Sequence, residues 1–164
     1  MILFRITLSF DWPLFFEIMG LVLFVLAAII ITSFLTIRNL RISYREVFKY
    51  QSKFDIELRK IINLLSKQID GQKLLSTNRL VVKSLTTEEK KALLDTIEQH
   101  YLNIDPKSEI IDYVKETYEN LQEIRRIRDS KAIVFNHKII MFPFNIYAKI
   151  LKMKAWDLYT HLHE

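Results

Sequence analysis

Residues 18–37 form an unbroken run of 20 uncharged side chains, IMGLVLFVLAAIIITSFLTI, and this run constrains the chain more than any other feature. At about 1.5 Å per residue, a helix of this length is about 30 Å long, which matches the hydrocarbon core of a bilayer. A helix buried in a soluble protein seldom stays apolar on every side over such a length. The run therefore predicts a transmembrane helix.

The flanks of this run predict an uncleaved anchor and its orientation. A cleaved signal peptide fits poorly, because the preceding residues carry one base against two acids and no small-residue cleavage pattern follows the run. Positive charge is retained in the cytoplasm, and basic residues dominate the segment after residue 37. We expect an extracytoplasmic N-terminus at residues 1–17, a span at 18–37 and a cytoplasmic part at 38–164. Residues 2–12 lie along the outer interface or form a frayed tail.

The first three basic residues after the run are predicted to contact anionic lipid: Arg38, Arg41 and Arg45. Lys49 already lies about 17 Å beyond Arg38 along a helix, which exceeds the Debye length of about 8 Å at physiological salt. The alternative is an ordinary solvated helix face. The formal net charge of +5 does not indicate nucleic-acid binding, because the rest of the chain mixes both signs and has no aromatic-basic platform.

Composition removes several classes of function. Two Gly and three Pro are too few for a turn-rich β-sandwich or a glycine-built phosphate loop. The absence of Cys excludes disulfide scaffolds and thiolate metal sites. The four His form no metal-binding motif, and no nucleophile motif surrounds any Ser or Thr. We expect no catalytic residue, no metal and no cofactor.

Apolar residues beyond the run recur at steps of three and four, which is the spacing of amphipathic helices. The pattern extends the first helix to near Gly71, resumes over residues 74–85 and, after a capping box from Thr86 to Glu89, continues to Leu102. A third helix is predicted at about 106–142 and a shorter fourth at about 145–162. The expected fold class is all-α: a transmembrane helix continuing into an antiparallel up-and-down helical bundle, with three long helices and a shorter C-terminal one.

Two segments of the chain resemble the LemA family. Residues 52–65, SKFDIELRKIINLL, resemble the first-helix motif of that family, and residues 120–159 resemble its C-terminal signature. The signature matches are Arg125-Arg126, Phe135-Asn136, Ile139, Phe142-Pro143, Asn145-Ile146 and Lys154. One departure is that Lys149 and Lys152 stand in a segment where the family often has glycines.

The resemblance implies a membrane-anchored helical bundle of a bacterium, without enzymatic activity. We therefore expect a scaffold or interaction protein at the cytoplasmic face of the inner membrane. Its partners would be the lipid bilayer and either another membrane-associated protein or a second copy of the chain, with no nucleic acid. The alternative is a lipid-contacting accessory module that modulates a membrane protease, envelope stress or membrane shape.

Charged residues inside the apolar stripes predict a polar layer. Arg125 and Arg128 interrupt the stripe of the third helix, and a buried arginine is costly unless it is paired. Asp55 or Glu57 on the first helix is the expected partner. The candidate residues of a layer that fixes register are Asp55, Arg59, Arg125 and Arg126. A partner groove and plain surface exposure are the alternatives.

The segment between the third and fourth helices predicts a rigid corner. Its candidate residues are Asn136, Phe142, Pro143 and Asn145. Pro143 is expected to end the third helix, and Asn145 to serve as the N-cap of the fourth. Alternatively, Phe144 or Tyr147 is exposed here and anchors a partner protein.

Overall fold

The computed structural model describes residues 12–68, 82–103 and 111–160. Within these ranges the chain forms four α-helices and no β-strand, so the predicted all-α class is confirmed. The helices are α1 (Trp12–Gln68), α2 (Thr87–Leu102), α3 (Ile111–Ile140) and α4 (Phe144–Ile150), with a 3-10 helix at Val82–Ser84 before α2. The predicted ends of the first helix near Gly71 and of the third helix at Pro106 lie outside the described residues.

Helix α1 is one continuous helix whose two halves have opposite surroundings. Its 57 residues extend over about 85 Å at 1.5 Å per residue. Every residue from 12 to 32 is exposed, and the first fully buried side chain is that of Leu40. Among the described residues, α1 is the one helix long and apolar enough to cross a membrane. Its most apolar stretch contains no buried residue, unlike the core helix of a soluble protein.

Helix α3 packs along the second half of α1. Lys138 Nζ donates to Asn39 Oδ1 at 2.9 Å, and Lys131 Nζ lies 3.1 Å from Glu46 Oε2. Further along, Arg128 Nε donates to the Gln51 side chain. Since the partners advance along α1 as they retreat along α3, these two helices run in opposite directions.

The buried apolar side chains form two clusters along the α1–α3 pair. The near cluster, which is closer to the apolar run, comprises Leu40, Val47, Ala132, Phe135 and Ala148. The far cluster comprises Phe54, Leu58, Ile61, Ile62, Leu65, Val82, Leu93, Leu94, Ile97, Val114, Leu121 and Tyr159. Helix α2 contributes only to the far cluster, whereas α4 contributes to the near one.

Helix α2 begins at the predicted capping box. The Thr86 side chain accepts from the Glu89 backbone N–H, and the Glu89 carboxylate accepts from the Thr86 backbone N–H at 2.7 Å, so the box is confirmed. The hydrogen bonds that the Thr86 backbone N–H and hydroxyl donate to the Glu89 carboxylate lower the pKa of Glu89. The helix has 16 residues and is preceded by the 3-10 turn. The expectation of three long helices is therefore wrong for this one.

Helix α4 is much shorter than the predicted helix at 145–162. It ends at Ile150, where the Met153 N–H donates to the Ala148 carbonyl and the Lys152 N–H to the Lys149 carbonyl, which is a Schellman cap. Lys152 occupies the left-handed position of this cap with φ 53°, where glycine is usual. Residues 151–160 then continue without helix. The N-cap is Pro143, so the prediction that Asn145 caps this helix is wrong.

Candidate functional site

A polar layer centred on Arg128 separates the near and far clusters. Arg128 is 1 % exposed, and its guanidinium donates to Gln51 Oε1 at 2.9 Å and to Asp129 Oδ1 at 2.8 Å. It also donates to the backbone carbonyl of Asp157. Because a buried cation is costly unless its charge and donors are satisfied, these three acceptors are what allow the arginine to stay in the interior.

Asp129 holds the non-helical C-terminal segment against α3. Its carboxylate accepts from the backbone N–H groups of Tyr159 at 3.1 Å and Thr160 at 2.8 Å, and from the Thr160 hydroxyl at 2.9 Å. Nearer the start of this segment, the Asn136 side chain of α3 donates to the Trp156 carbonyl and accepts from the Trp156 N–H, both at 2.8 Å. The segment's backbone groups are thus satisfied by α3 side chains rather than by helical carbonyls.

Aromatic rings complete the surroundings of Arg128. Its guanidinium carbon lies 4.5 Å from the Tyr159 ring centroid and 5.6 Å from that of Trp156, which are cation–π distances. The Tyr159 ring in turn stacks on Phe54 of α1 at 4.6 Å. The C-terminal segment, α1 and α3 are therefore joined at one point.

Asp55 belongs to the same layer, but its cationic partner is Lys90 of α2. Lys90 Nζ lies 2.7 Å from Asp55 Oδ1, and both side chains are largely buried. Gln51 Nε2 donates to the Asp55 carboxylate at 3.0 Å while Gln51 Oε1 accepts from Arg128. Gln51 therefore links the two charge pairs, and the predicted partnership between Asp55 and an arginine of the third helix is indirect.

The remaining predicted members of the layer have other positions. Arg59 and Arg126 are exposed on their helices, and Arg125 is half-buried with an Nε that has no hydrogen-bond partner among the described residues. Arg128 is the arginine of the stripe that enters the interior. Asp129, Lys90 and Tyr159 were not selected from the sequence. The adjacency of Arg128 and Asp129 was visible, but two neighbouring residues on a helix do not ordinarily face each other.

The predicted corner residues are close in the chain but serve different purposes. Asn136 fastens the Trp156 backbone, and Pro143, preceded by a cis peptide bond, is the N-cap of α4. Phe142 is 80 % exposed. The buried Asn145 Oδ1 has no hydrogen-bond partner within the described part of the chain. Phe144 and Tyr147 are both half-buried, so the alternative interpretation, which needed one of them exposed, is wrong.

The three predicted lipid-proximal arginines lie on the exposed surface of α1. Together with Phe34, Ile37 and Ile42 they line a shallow groove of about 530 Å³. The groove begins inside the uncharged run and ends beyond it, so its apolar and cationic sides follow one another along the helix. An apolar surface followed along the helix by a cationic one suits the boundary between acyl chains and headgroups.

A cleft of about 310 Å³ opens beside the polar layer. It is lined by Phe48, Gln51, Ser52, Asp55, Lys83, Leu85, Thr87, Lys90, Arg128, Ala155, Trp156, Asp157 and Tyr159. Asp55, Lys90 and Arg128 are already paired within the protein, so they have structural partners before any ligand binds. No group of three or more His, Asp or Glu that could hold a metal ion occurs within residues 12–68, 82–103 and 111–160.

Tyr159 predicts how the layer responds to alkaline pH. Burial raises the pKa of its hydroxyl above the usual 10.0, against the lowering effects of the Gln51 hydrogen bond and Arg128. The unfolded chain therefore loses this proton at a lower pH than the folded protein does. The stability that the protonated hydroxyl contributes is fully present below about pH 10 and is lost as pH rises through the folded pKa. We expect Tyr159→Phe to make the urea midpoint fall less steeply between about pH 9 and pH 11.

The Phe variant also loses the 2.9 Å hydrogen bond from Gln51, which costs about 1 kcal/mol at neutral pH. Tyr118, whose pKa burial also raises, accounts for part of the slope that remains. Tyr50→Phe is the control, since Tyr50 is a half-buried residue of α1 that lies outside the layer. If the urea midpoint of Tyr159→Phe fell with alkaline pH as steeply as that of the unmodified protein, the assignment of this pH dependence to Tyr159 would be contradicted.

Comparison of the chain with family models, with curated proteins and with solved structures found no match.

Proposed function

We propose that this protein is a single-pass membrane protein whose residues 38–164 lie at the cytoplasmic face of a bacterial inner membrane. One observation carries the proposal: residues 18–32 of the uncharged run are all exposed, while the same helix, from Leu40 onward, is packed into two core clusters. Exposing about 20 consecutive apolar residues to water is strongly unfavourable, whereas a bilayer satisfies them. The membrane thus accounts for the one part of α1 that the protein does not cover.

The charged flank supports the orientation. Arg38, Arg41 and Arg45 are exposed immediately after the run, and basic side chains are retained on the cytoplasmic side. At the other end, the Trp12 and Phe16 rings stack at 6.0 Å on the helix surface. Trp is enriched where a helix meets the membrane–water interface, so this aromatic pair suits the outer boundary.

For the packed part, we propose an antiparallel up-and-down bundle of the LemA type that acts as a scaffold or interaction module. The opposite directions of α1 and α3 support the bundle, and the resemblance of residues 52–65 and 120–159 supports the family. Three of the charges that line the cleft, those of Asp55, Lys90 and Arg128, are engaged in structural pairs, which favours a non-enzymatic function. Continuity of α1 gives the module a fixed base, so it would present its surfaces to a second membrane-associated protein or to another copy of the chain.

Membrane fractionation tests the anchor. We expect the full-length protein to remain in the membrane pellet after carbonate extraction, and residues beyond 38 to resist protease added outside intact spheroplasts. Leu26→Arg places a charge at the centre of the run and should reduce insertion, since such a charge costs about 2.5–3.5 kcal/mol on insertion scales. Ile42→Arg is the matched control, because Ile42 is an exposed apolar residue of the same helix outside the run.

The contrary results are equally clear. Recovery of the detergent-free protein in the supernatant would contradict the membrane anchor. Digestion of the packed part by protease added outside would contradict the proposed orientation. Chemical cross-linking in intact membranes followed by purification then addresses the scaffold role. A reproducible protein partner or a cross-linked self-pair supports it, whereas cross-links to lipid alone favour the accessory module that contacts lipid.

A further inference from the structure

A second apolar surface lies far from the uncharged run in sequence, where α3 turns into α4. Five large side chains are exposed there, at 71 % for Ile140, 60 % for Met141, 80 % for Phe142, 48 % for Ile146 and 69 % for Ile150. We call these five residues the apolar corner. Contiguous exposed apolar side chains of this kind mark a surface that is covered by something in the working protein.

The corner lies beside the end of the uncharged run. The Tyr147 hydroxyl of α4 is 2.5 Å from Ser33 Oγ, and Ser33 lies within the run, about 6 Å along the helix before its last residue. Lys138, two residues before the corner, is bonded to Asn39 and Ser43 just beyond the run. The first contact places α4, and the second places the end of α3, at the level where α1 changes from apolar to charged surroundings.

The surface around the corner is rich in basic side chains, although Lys131 of α3 is paired with Glu46 of α1. Residues 130–156 contain no acidic side chain and five lysines: Lys131, Lys138, Lys149, Lys152 and Lys154. Lys149, Lys152 and Lys154 are exposed on or directly after α4. On α1 the neighbouring exposed charges are Arg38 and Arg41. A short apolar helix face bordered by flexible basic side chains has the composition of an element that lies in the plane of an anionic membrane surface.

We infer that the apolar corner inserts into the headgroup region of the same leaflet through which α1 enters the cytoplasm, with Lys149 and Lys152 contacting anionic lipid. This inference rests on the proposed membrane anchor. Anionic lipid is the occupant for two reasons: the charges are complementary, and the Tyr147–Ser33 contact places the corner beside the end of the run that is proposed to span the bilayer. The folded part is therefore held to the bilayer at two points, one spanning and one interfacial.

The chain has no cysteine, so single labelling positions can be introduced without background. The full-length protein is prepared as Phe142→Cys, Leu26→Cys and Glu119→Cys, each carrying an environment-sensitive NBD dye. Each is reconstituted into vesicles of phosphatidylcholine and phosphatidylglycerol that contain lipids with a nitroxide either near the headgroup or deep in the acyl chain. Position 26 tests the anchor, position 142 tests the corner, and exposed position 119 on α3 tests the part of the bundle farther from the run.

We expect the dye at position 142 to shift to the blue and to be quenched more by the shallow nitroxide than by the deep one. At position 26 the deep nitroxide should quench more strongly, and at position 119 neither should quench. Combining Lys149→Glu with Lys152→Glu should cut the quenching at position 142 at least several-fold and leave position 26 unchanged. Lys53→Glu with Lys115→Glu makes the same charge change at exposed sites away from the corner and should alter neither.

The outcomes separate the two proposals. Quenching at position 26 without quenching at position 142 overturns the interfacial corner and leaves the anchor standing. Loss of quenching at position 26 overturns the anchor and the corner with it. A blue shift at position 142 without quenching by either lipid means that protein covers the corner, which also overturns the inference. Loss of quenching in both lysine pairs alike overturns the specific part given to Lys149 and Lys152.

Discussion

Replacing Arg128 with Ala should destabilise the folded part by about 3–5 kcal/mol, the cost of breaking a buried ion pair from one side. The substitution leaves the Asp129 carboxylate buried without its cation, and Asp129 holds the backbone of Tyr159 and Thr160. It also removes the donor to Gln51 and the cation that lies against the Tyr159 ring. The urea midpoint of the full-length protein in lipid nanodiscs, followed by near-ultraviolet circular dichroism, measures this loss.

Arg126→Ala is the matched control, because it removes the same side chain from the same helix at an exposed position. Surface substitutions of this kind usually change stability by no more than about 0.5 kcal/mol. Equal midpoints for the two variants would mean that the layer around Arg128 contributes nothing beyond a solvated charge. Arg125→Ala should fall between them, since Arg125 is half-buried and its Nε has no partner among the described residues.

The parts of the fold that follow from local sequence agree with the structure. Most of the uncharged run lies in the exposed half of α1, and the lack of helix breakers after it predicts the continuous helix that is observed to Gln68. Thr86 and Glu89 are three residues apart and form their capping box through contacts within a single helical turn. These features depend on neighbours in sequence, so the spacing of residue types is sufficient to predict them.

The C-terminal segment could not be predicted in the same way. Apolar spacing from Ile146 to Leu158 suggests one helix, but the structure ends α4 at Ile150. Beyond it, Asn136 and Asp129 of α3 bind the backbone at Trp156, Tyr159 and Thr160. These tertiary hydrogen bonds connect residues that are about 20–30 positions apart in sequence, and they outweigh the weak local preference for helix.

The sequence also could not determine which arginine of the α3 stripe is buried in the polar layer. Arg125 and Arg128 are three positions apart, so helical spacing places both toward the same side and does not rank them. What distinguishes Arg128 is its surroundings: Gln51 from α1, and Trp156 and Tyr159 from the C-terminal segment. Since that segment was expected to be helical, the aromatic rings that cover Arg128 could not be placed from the sequence. The wrong length predicted for α4 and the selection of Arg125 rather than Arg128 for the layer therefore have the same cause, the non-helical C-terminal segment.

Replacing Phe135 with Ala should remove about 3–5 kcal/mol from the stability of the folded part, which is the usual cost of deleting a buried phenyl group. Phe135 is fully buried in the near cluster and packs edge-to-face on Tyr44 of α1, with centroids 5.6 Å apart. Val134→Ala is the control, since Val134 precedes it on α3 and is 50 % exposed. Urea titration in nanodiscs should separate the two variants, and a Val134 effect as large as the Phe135 effect would contradict the packing.

The position of α4 makes a second measurement informative for the same variant. Ala148 is buried in the near cluster and Tyr147 packs against it, whereas the buried side chains of α2 belong to the far cluster. Loss of Phe135 should therefore speed amide hydrogen exchange in α4 at least as much as in α2, because local opening adds to global unfolding there. A smaller change in α4 than in α2 would mean that the near cluster does not hold α4 against α1.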